Sequence, residues 1–233
     1  MQSLNEGFRA LVIGSTGTLG AAFVAALQAE PRCGAVVGLS RRTGLLLEDE
    51  SSLQAAAQSV KDAPFQLIID ATGALTIDGH GPEKHLGALQ PEQLARQFQV
   101  NTIGPALLLK HFSPLLDGQQ RAIYAKLSAR VGSISDNRLG GWYGYRAAKA
   151  ALNMVLQTAA IELARRKPLT VVAAMQPGTV ASELTKPFVS AKDCISAETS
   201  VQGLLAALDA LPANDKGSAR AHFVDYQGQP IPW

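Results

Sequence analysis

Short apolar runs alternate with longer amphipathic segments along the chain, and this alternation constrains the fold more than any other feature. The apolar runs occupy residues 10–13, 35–39, 67–69, 122–127, 171–175 and 223–224. Such runs are typical of strands buried on both faces of a parallel sheet. The segments between them have helix-forming composition and helical spacing, at 19–29, 52–61, 91–112, 145–166 and 197–211. The order predicts right-handed βαβ units with helices on both faces of the sheet.

The length of the chain fits one domain built on this plan. With 233 residues, 47% of them hydrophobic, the chain can bury one sizeable core. We predict a single α/β domain over residues 1–233 with a mostly parallel, seven-stranded sheet, although the third strand has only a weak signal. The least patterned segments, 76–90 and 185–194, are expected to form loops beside the functional site.

Charge and cysteine content exclude several classes of function. The net charge of +2 comes from scattered residues rather than a basic face, so neither nucleic acid nor an anionic membrane is an expected partner. Cys33 and Cys194 are far apart, and the histidines show no metal-site spacing, so we expect free thiols and no metal. We find neither a signal peptide nor an apolar stretch of about 18 residues, and we expect a cytoplasmic protein.

A glycine-rich turn follows the first predicted strand and leads directly into a helical segment. Glycines at such a turn let the backbone approach a pyrophosphate, which then meets the free N–H groups of the helix N-terminus. The turn therefore predicts a Rossmann-type, doubly wound dinucleotide site. Its residues are Gly14, Ser15, Thr16, Gly17, Thr18, Leu19 and Gly20.

The end of the second predicted strand indicates which dinucleotide binds. A carboxylate is usual here when the adenosine ribose carries a free 2′-hydroxyl. This chain has Ser40, Arg41 and Arg42 instead. Because one hydroxyl and two guanidinium groups can bind a 2′-phosphate through charge-assisted hydrogen bonds, we predict NADP(H) in preference to NAD(H). The alternative is that both arginines are only solvated loop charges.

Tyr145 and Lys149 are four residues apart on a predicted helix, and hence on one helical face. The unperturbed pKa of a phenol is about 10, and a neighbouring cation is expected to lower it towards the range useful for proton transfer. Tyr145 can then act as a general acid or base. A pair at this spacing often arises by chance, so the prediction depends on the glycine turn and the arginine pair as well.

Together these motifs resemble the short-chain dehydrogenase/reductase family, from about Ala10 to the C-terminus. The family's Tyr-x-x-x-Lys motif matches Tyr145 to Lys149, and its glycine motif matches Gly14 to Gly20. Finer similarity to the C-factor and Sniffer carbonyl-reductase branch lies in residues 131–137, 140–145 and 230–233. The segment Asp70, Ala71, Thr72 and Gly73 stands where the family often has Asn-Asn-Ala-Gly, Asn101 matches its helical asparagine, and Pro177, Gly178 and Val180 lie in a segment that resembles its Pro-Gly turn.

The resemblance implies roles for the matched residues. Lys149 would bind the nicotinamide ribose and lower the pKa of Tyr145, and Asn101 would support a water relay. Ala71, Thr72 and Gly73, together with Pro177, Gly178 and Val180, would contact the cofactor. Hydride would pass between the nicotinamide ring and the substrate carbon.

Three positions depart from the family pattern. Ala129 occupies the place of the catalytic serine that holds the substrate oxygen. Ser133 is the better substitute if its loop folds inward, Ser128 is a second candidate, and water or no replacement is the third. Thr18 stands where a middle glycine is common, and Leu46 stands near the usual position of an aspartate beside the adenine.

The helix predicted over residues 145–166 is apolar around much of its circumference. One sheet face cannot cover that surface, so we expect a homodimer or homotetramer formed through this helix. Coverage by the chain's own loops is the alternative.

The leading functional hypothesis is an NADP(H)-dependent oxidoreductase acting on a small carbonyl or alcohol substrate, with Trp142 and Tyr143 as candidate pocket walls. The alternative is a nucleotide-binding regulatory or slow-turnover protein, motivated by Ala129. A nucleotide-sugar epimerase is less favoured because little chain follows the sixth apolar run.

Overall fold

Six parallel strands form one sheet in the computed structural model, which describes residues 1–182, 185–214 and 219–233. The strands are β1 (Phe8–Ile13), β2 (Cys33–Leu39), β3 (Leu67–Asp70), β4 (Ala122–Leu127), β5 (Thr170–Gln176) and β6 (His222–Asp225). Their spatial order is β2-β1-β3-β4-β5-β6. The order reverses at β1, because the chain first moves outward to β2 and then returns to place β3 on the other side. This reversal is the switch point at which open α/β sheets bind ligands.

Helices cover both faces of the sheet because side chains alternate along each strand. The helices are α1 (Thr18–Gln28), α2 (Glu50–Ser59), α3 (Pro91–Phe98), α4 (Gly104–Phe112), α5 (Tyr143–Arg166) and α6 (Ala197–Ala210). In β1, Leu11 and Ile13 join the core beneath α2, α4 and α5, whereas Ala10 and Val12 join the core beneath α1 and α6. The predicted doubly wound α/β fold is therefore confirmed.

The prediction of seven strands is wrong for the described residues, since the expected third strand is missing. Only residues 60–66 connect α2 to β3. A further parallel strand would need its own crossover of about a dozen residues, and this connection is too short. As a result β2 lies at the edge of the sheet, with Gly34, Ala35 and Gly38 exposed.

Residues 91–112, predicted to form one helix, are helical throughout but do not form one continuous α-helix. A π-helical turn at Gln99–Ile103 separates α3 from α4, and the N–H of Gly104 donates to the carbonyl of Gln99. Pro105 follows directly and has no N–H to continue the ordinary ladder, which favours the wider turn. Asn101 lies inside this turn. Among the described helices, none combines the length and apolar character needed to cross a bilayer.

Candidate active site

The glycine turn has the form of an anion cradle at the N-terminus of α1. A Cβ at Gly20 would lie 2.0 Å from the carbonyl oxygen of Gly14, and Gly14 itself has a φ of +83°. The helix begins at Thr18, and no side chain caps it. The first N–H groups of a helix have no intrahelical acceptor, so they remain available to a phosphate. The turn thus fits the pyrophosphate of a dinucleotide, despite Thr18 at the family's glycine position.

The arginine pair lies next to this cradle. The Ser15 hydroxyl and the N–H groups of Gly14 and Ser15 all donate to the carbonyl of Leu39, the last residue of β2. Ser40 is buried and caps a short 3₁₀ turn that carries the exposed Arg41 and Arg42. Among the described residues, neither arginine makes an ion pair. Both guanidinium groups are therefore free to meet a phosphate near the cradle.

Tyr145 and Lys149 lie in the first two turns of α5, and both side chains line a cleft of about 430 Å³. Both residues are buried. The Lys149 Nζ lies 5.5 Å from the centroid of the Tyr145 ring and donates to the carbonyl of Leu127 at 3.3 Å. The same cleft reaches the start of α1, so the structure brings the tyrosine–lysine pair and the glycine turn into one site.

Burial governs the protonation of this pair. It raises the pKa of Tyr145 well above its ordinary value, because the phenolate would lose its hydration. Burial also lowers the pKa of Lys149 to about 7, with the charge of Lys126 as a second cause and Asp70 acting in the opposite direction. For Tyr145 this direction is opposite to the lowering that the sequence argument predicts. The phenol is therefore held in its protonated form near neutrality.

Asn101 is buried beside the cleft rather than in its lining. Its amide oxygen accepts the N–H of Ala74, and its amide nitrogen donates to the carbonyl of Ala74 and to Gln97 Oε1. The side chain is thus engaged in holding the segment that follows β3. A Cβ placed on Gly73 would lie 3.1 Å from Asn101 Oδ1 and 3.5 Å from Lys149 Nζ, so all three residues meet at this point.

The structure does not bring Ser133 to the cleft. The chain after Ala129 enters a 3₁₀ turn, Arg130–Gly132, that packs against α5, and Ser133 is buried beyond it with its hydroxyl accepting the N–H of Asp136. Ser128 lies at the cleft, but its hydroxyl donates to Asn153 Oδ1 at 2.6 Å. Ala129 itself lines the cleft. Neither candidate serine therefore offers a free hydroxyl beside Tyr145.

Most of the other predicted site residues converge on this cleft. The first part of the glycine turn, Gly14, Ser15 and Thr16, lies next to the residues that line the cleft. The 3₁₀ turn that contains Ser40, Arg41 and Arg42 lies beside the glycine turn. Trp142 also lines the cleft, as predicted, and packs edge-on against Tyr145 and Phe188. Tyr143, the other predicted pocket wall, is not among the described residues that line it. The predicted residues that line it are Gly17, Thr18, Leu19, Gly20, Ala71, Thr72, Gly73, Tyr145, Lys149, Pro177, Gly178 and Val180.

Glu83 is a buried carboxylate that sequence reasoning missed. Its Oε2 accepts the N–H of Gly144 at 2.9 Å, and its backbone carbonyl accepts the N–H of Trp142 at 2.5 Å. The Trp142 side chain provides no cap for α5, so Glu83 supplies one from 61 residues away. A Cβ at Gly144 would lie 2.8 Å from Glu83 Oε1. The carboxylate thus fixes the start of the helix that carries Tyr145 and Lys149.

Replacing Glu83 by alanine is expected to leave the buried Gly144 N–H without an acceptor. That loss costs about 1–3 kcal/mol of unfolding free energy and loosens the helix end next to Tyr145. Glu83→Gln keeps an oxygen acceptor and should recover most of the loss. Thermal unfolding and kcat of both variants test this, with the exposed Glu92→Ala as the control. An alanine variant that matches the parent protein in both measurements would contradict the role.

Comparison with known proteins identifies the family of this chain. The structure is an α/β fold with a cleft at the switch point of its sheet, and the family model of the short chain dehydrogenases matches residues 6–193. The chain belongs to the short-chain dehydrogenase/reductase family, as its motifs predict.

Two relatives span most of this chain. The C-signal protein of Myxococcus xanthus is 32% identical over 182 residues, covering 78% of this chain and 100% of that protein. The 1-hydroxy-2-glutathionyl-2-methyl-3-butene dehydrogenase of Rhodococcus sp. (strain AD45) is 31% identical over 185 residues, covering 78% of this chain and 77% of its own.

Solved structures share the fold at lower identity. The NADPH-bound carbonyl reductase from chicken fatty liver superposes with a TM-score of 0.82 at 23% identity, covering 98% of this chain and 95% of its own. The carbonyl reductase Sniffer of D. melanogaster gives a TM-score of 0.80 at 20% identity, covering 98% of this chain and all of its own. At these identities the similarity shows a common fold.

Proposed function

We propose that this protein is an NADP(H)-dependent reductase of carbonyl compounds. The observation that carries the proposal is the single cleft lined by Tyr145, Lys149 and the glycine turn. The similarity to the NADPH-bound carbonyl reductase and to Sniffer supports the same class of reaction. A cytoplasmic location belongs to the proposal, and the free cysteines Cys33 and Cys194 support it.

The cofactor would be held at three places in the described chain. The glycine turn would bind the pyrophosphate, Ser40, Arg41 and Arg42 would bind the 2′-phosphate, and Lys149 would contact the nicotinamide ribose. When bound, the nicotinamide supplies the hydride. The small-molecule substrate would sit against Trp142, beside the Tyr145 hydroxyl.

The protonation of Tyr145 favours the reductive direction. Because burial keeps the phenol protonated, Tyr145 Oη can donate its proton to a carbonyl oxygen as negative charge develops there. The Lys149 Nζ lies 5.5 Å from the centroid of the Tyr145 ring. A proton can return to Tyr145 through Lys149 and a water relay near Asn101. The Asn101 side chain supports this relay by fixing Ala74.

The alternative function is an NADP(H)-binding regulatory or slow-turnover protein, and Ala129 favours it. A missing oxyanion donor costs about 10²–10³-fold in rate. The Ser128 hydroxyl donates to Asn153, and Ser133 is not among the described residues that line the cleft, so neither replaces this donor. In this case the protein would bind NADP(H) through the same cleft but reduce carbonyl compounds slowly.

NADPH oxidation against a panel of carbonyl compounds separates the two functions. We expect measurable turnover in the parent protein and an increase of about tenfold or more in Ala129→Ser, because the new hydroxyl would restore one donor to the substrate oxygen. Tight NADPH binding with no oxidation by either protein would overturn the reductase proposal and favour the regulatory alternative.

Helix α5 is the proposed contact between subunits. Met154 is 66% exposed and Ile161 is 39% exposed, beside a groove of about 710 Å³ between α4 and α5. Light scattering should give twice the 24.5 kDa chain mass, or four times that mass for a tetramer. Met154→Glu should lower the mass measured by light scattering toward that of a single chain. The exposed Leu139→Glu is the control. A parent protein that stays monomeric over a wide concentration range would contradict the contact.

A further inference from the structure

A buried ion pair contacts Thr72 in the wall of the cleft, and neither of its residues has a role in the proposed proton transfer. Lys126 of β4 and Asp70 of β3 are register partners, and their side chains are 1% and 0% exposed. The Lys126 Nζ lies 3.0 Å from Asp70 Oδ1. Removing two such charges from water costs several kcal/mol per ion, so a pair of this kind is weak evidence for stability alone.

The ion pair holds the turn that lines the cleft after β3. Lys126 Nζ donates to the carbonyl of Thr72 at 2.6 Å, and it also contacts the Thr72 hydroxyl at 3.1 Å. The hydroxyl and N–H of Thr72 both donate to Asp70 Oδ1, at 2.6 and 2.9 Å. Asp70 Oδ2 has no hydrogen-bond partner among the described residues, so Lys126 provides the charge that balances this carboxylate.

Lys149 approaches the same turn. Its Nζ is 3.5 Å from a Cβ built on Gly73, the residue after Thr72, and it donates to the carbonyl of Leu127, the residue after Lys126. Two buried amines and one buried carboxylate therefore adjoin residues 70–73. The excess positive charge disfavours a charged Lys149, because like charges in a buried site repel strongly.

We propose that Lys126 and Asp70 are positioning residues for the reaction, which fix the turn at residues 70–73 and act with opposite sign on the charge of Lys149. The catalytic consequence rests on the proposed reductase function, but the effect on Lys149 does not. The groups facing Lys149 in the described chain are Lys126 from β4, Asp70 from β3 and the Tyr145 ring from its own helix.

The causes that act on the pKa of Lys149 give the sign of the test. Burial is the main cause that lowers this pKa to about 7, the charge of Lys126 is a second cause in the same direction, and Asp70 acts in the opposite direction. Lys126→Gln removes the repelling cation and leaves the carboxylate, so the Lys149 pKa should rise. Asp70→Asn leaves the cation, so the pKa should fall. The two single variants are therefore expected to shift the Lys149 pKa in opposite directions, each by more than about 0.3 units.

Titration of ¹³Cε-labelled lysines by NMR measures this pKa without any turnover. The Lys149 resonance is assigned by its loss in Lys149→Met, and Lys110→Gln is the control because the exposed Lys110 pairs with Glu50 on the surface. If Lys126→Gln fails to fold, the double variant Lys126→Met/Asp70→Leu removes both charges and should give a small rise in the Lys149 pKa. Opposite shifts in the two single variants, or that rise in the double variant, support the proposal.

Two outcomes overturn the inference. The first is a Lys149 pKa that stays within about 0.3 units in every variant, and the second is a shift of the same sign in both single variants. In an active enzyme, the pH profile of kcat/KM should move with the Lys149 pKa, which a purely structural role would not produce. If no carbonyl compound is reduced, the NMR titration still decides this inference, so its failure and the failure of the reductase proposal are distinguishable.

Discussion

Replacing Tyr145 by phenylalanine is expected to lower kcat by about 10²–10⁴-fold, because the variant loses the proton donor to the substrate oxygen. The ring would keep its contact with Trp142 and its place in the cleft wall. NADPH affinity should therefore change by less than about threefold, since the phenol is proposed to act on the substrate. Single-turnover measurements and fluorescence titration with NADPH give the two quantities.

Tyr143 provides a matched control for this variant. It belongs to the same helix two residues earlier and is only partly buried. Tyr143→Phe removes an equivalent hydroxyl and should retain at least about half of the parent kcat, because the hydroxyl has no proposed role. Equal losses in the two variants, or full activity of Tyr145→Phe, would show that the proton comes from another group.

Replacing Arg41 and Arg42 together by alanine is expected to weaken NADPH binding by about a hundredfold or more. Each charge-assisted hydrogen bond to a phosphate contributes about 1.5–3 kcal/mol, and the lower end applies because both side chains are exposed. NADH carries no 2′-phosphate, so its affinity should change little. The ratio of kcat/KM for the two cofactors measures this preference.

The double variant Lys61→Ala/Lys110→Ala is the control. It removes the same two positive charges as the arginine double variant, but at positions away from the glycine turn. It should leave the cofactor preference unchanged, which separates local phosphate binding from a general electrostatic effect. If the arginine double variant weakens NADH and NADPH equally, or weakens neither, then Arg41 and Arg42 do not read the 2′-phosphate.

Local sequence pattern was sufficient to predict most of the fold. Apolar runs and the glycine turn indicate buried strands and the switch point, because these features depend on residues close together in the chain. The missing strand could not be excluded in this way. Its absence follows from the short connection of residues 60–66, and a weak strand signal does not reveal how many residues a crossover requires.

The site was predicted where motifs carry it and missed where contacts are distant in sequence. Glu83 caps α5 from a loop 61 residues away, and no local pattern marks such a cap. Lys126 did carry a signal, since it is a lysine inside the apolar run 122–127, where an unpaired charge would be costly. The proposed inward fold of Ser133 depended on a loop conformation, and the 3₁₀ turn at Arg130–Gly132 directs that side chain elsewhere.

Two features of this chain adjoin the catalytic pair. Ala129, which departs from the family pattern, takes away a hydroxyl at the cleft. Lys126 and Asp70 place a buried ion pair against the turn that lines the same cleft. If the enzyme works without the usual serine, the proton supply from Tyr145 and Lys149 becomes the main contribution of the protein to the chemistry. This makes the geometry of that pair relative to the nicotinamide the central claim.

A crystal structure of the protein with NADP⁺ and a substrate analogue tests this claim most directly. The account predicts the nicotinamide ring in the cleft, with Lys149 Nζ on its ribose and the Tyr145 Oη within hydrogen-bond reach, about 2.6–3.2 Å, of the analogue's oxygen. A nicotinamide bound away from these two side chains, with its pyrophosphate still on the glycine turn, would contradict it.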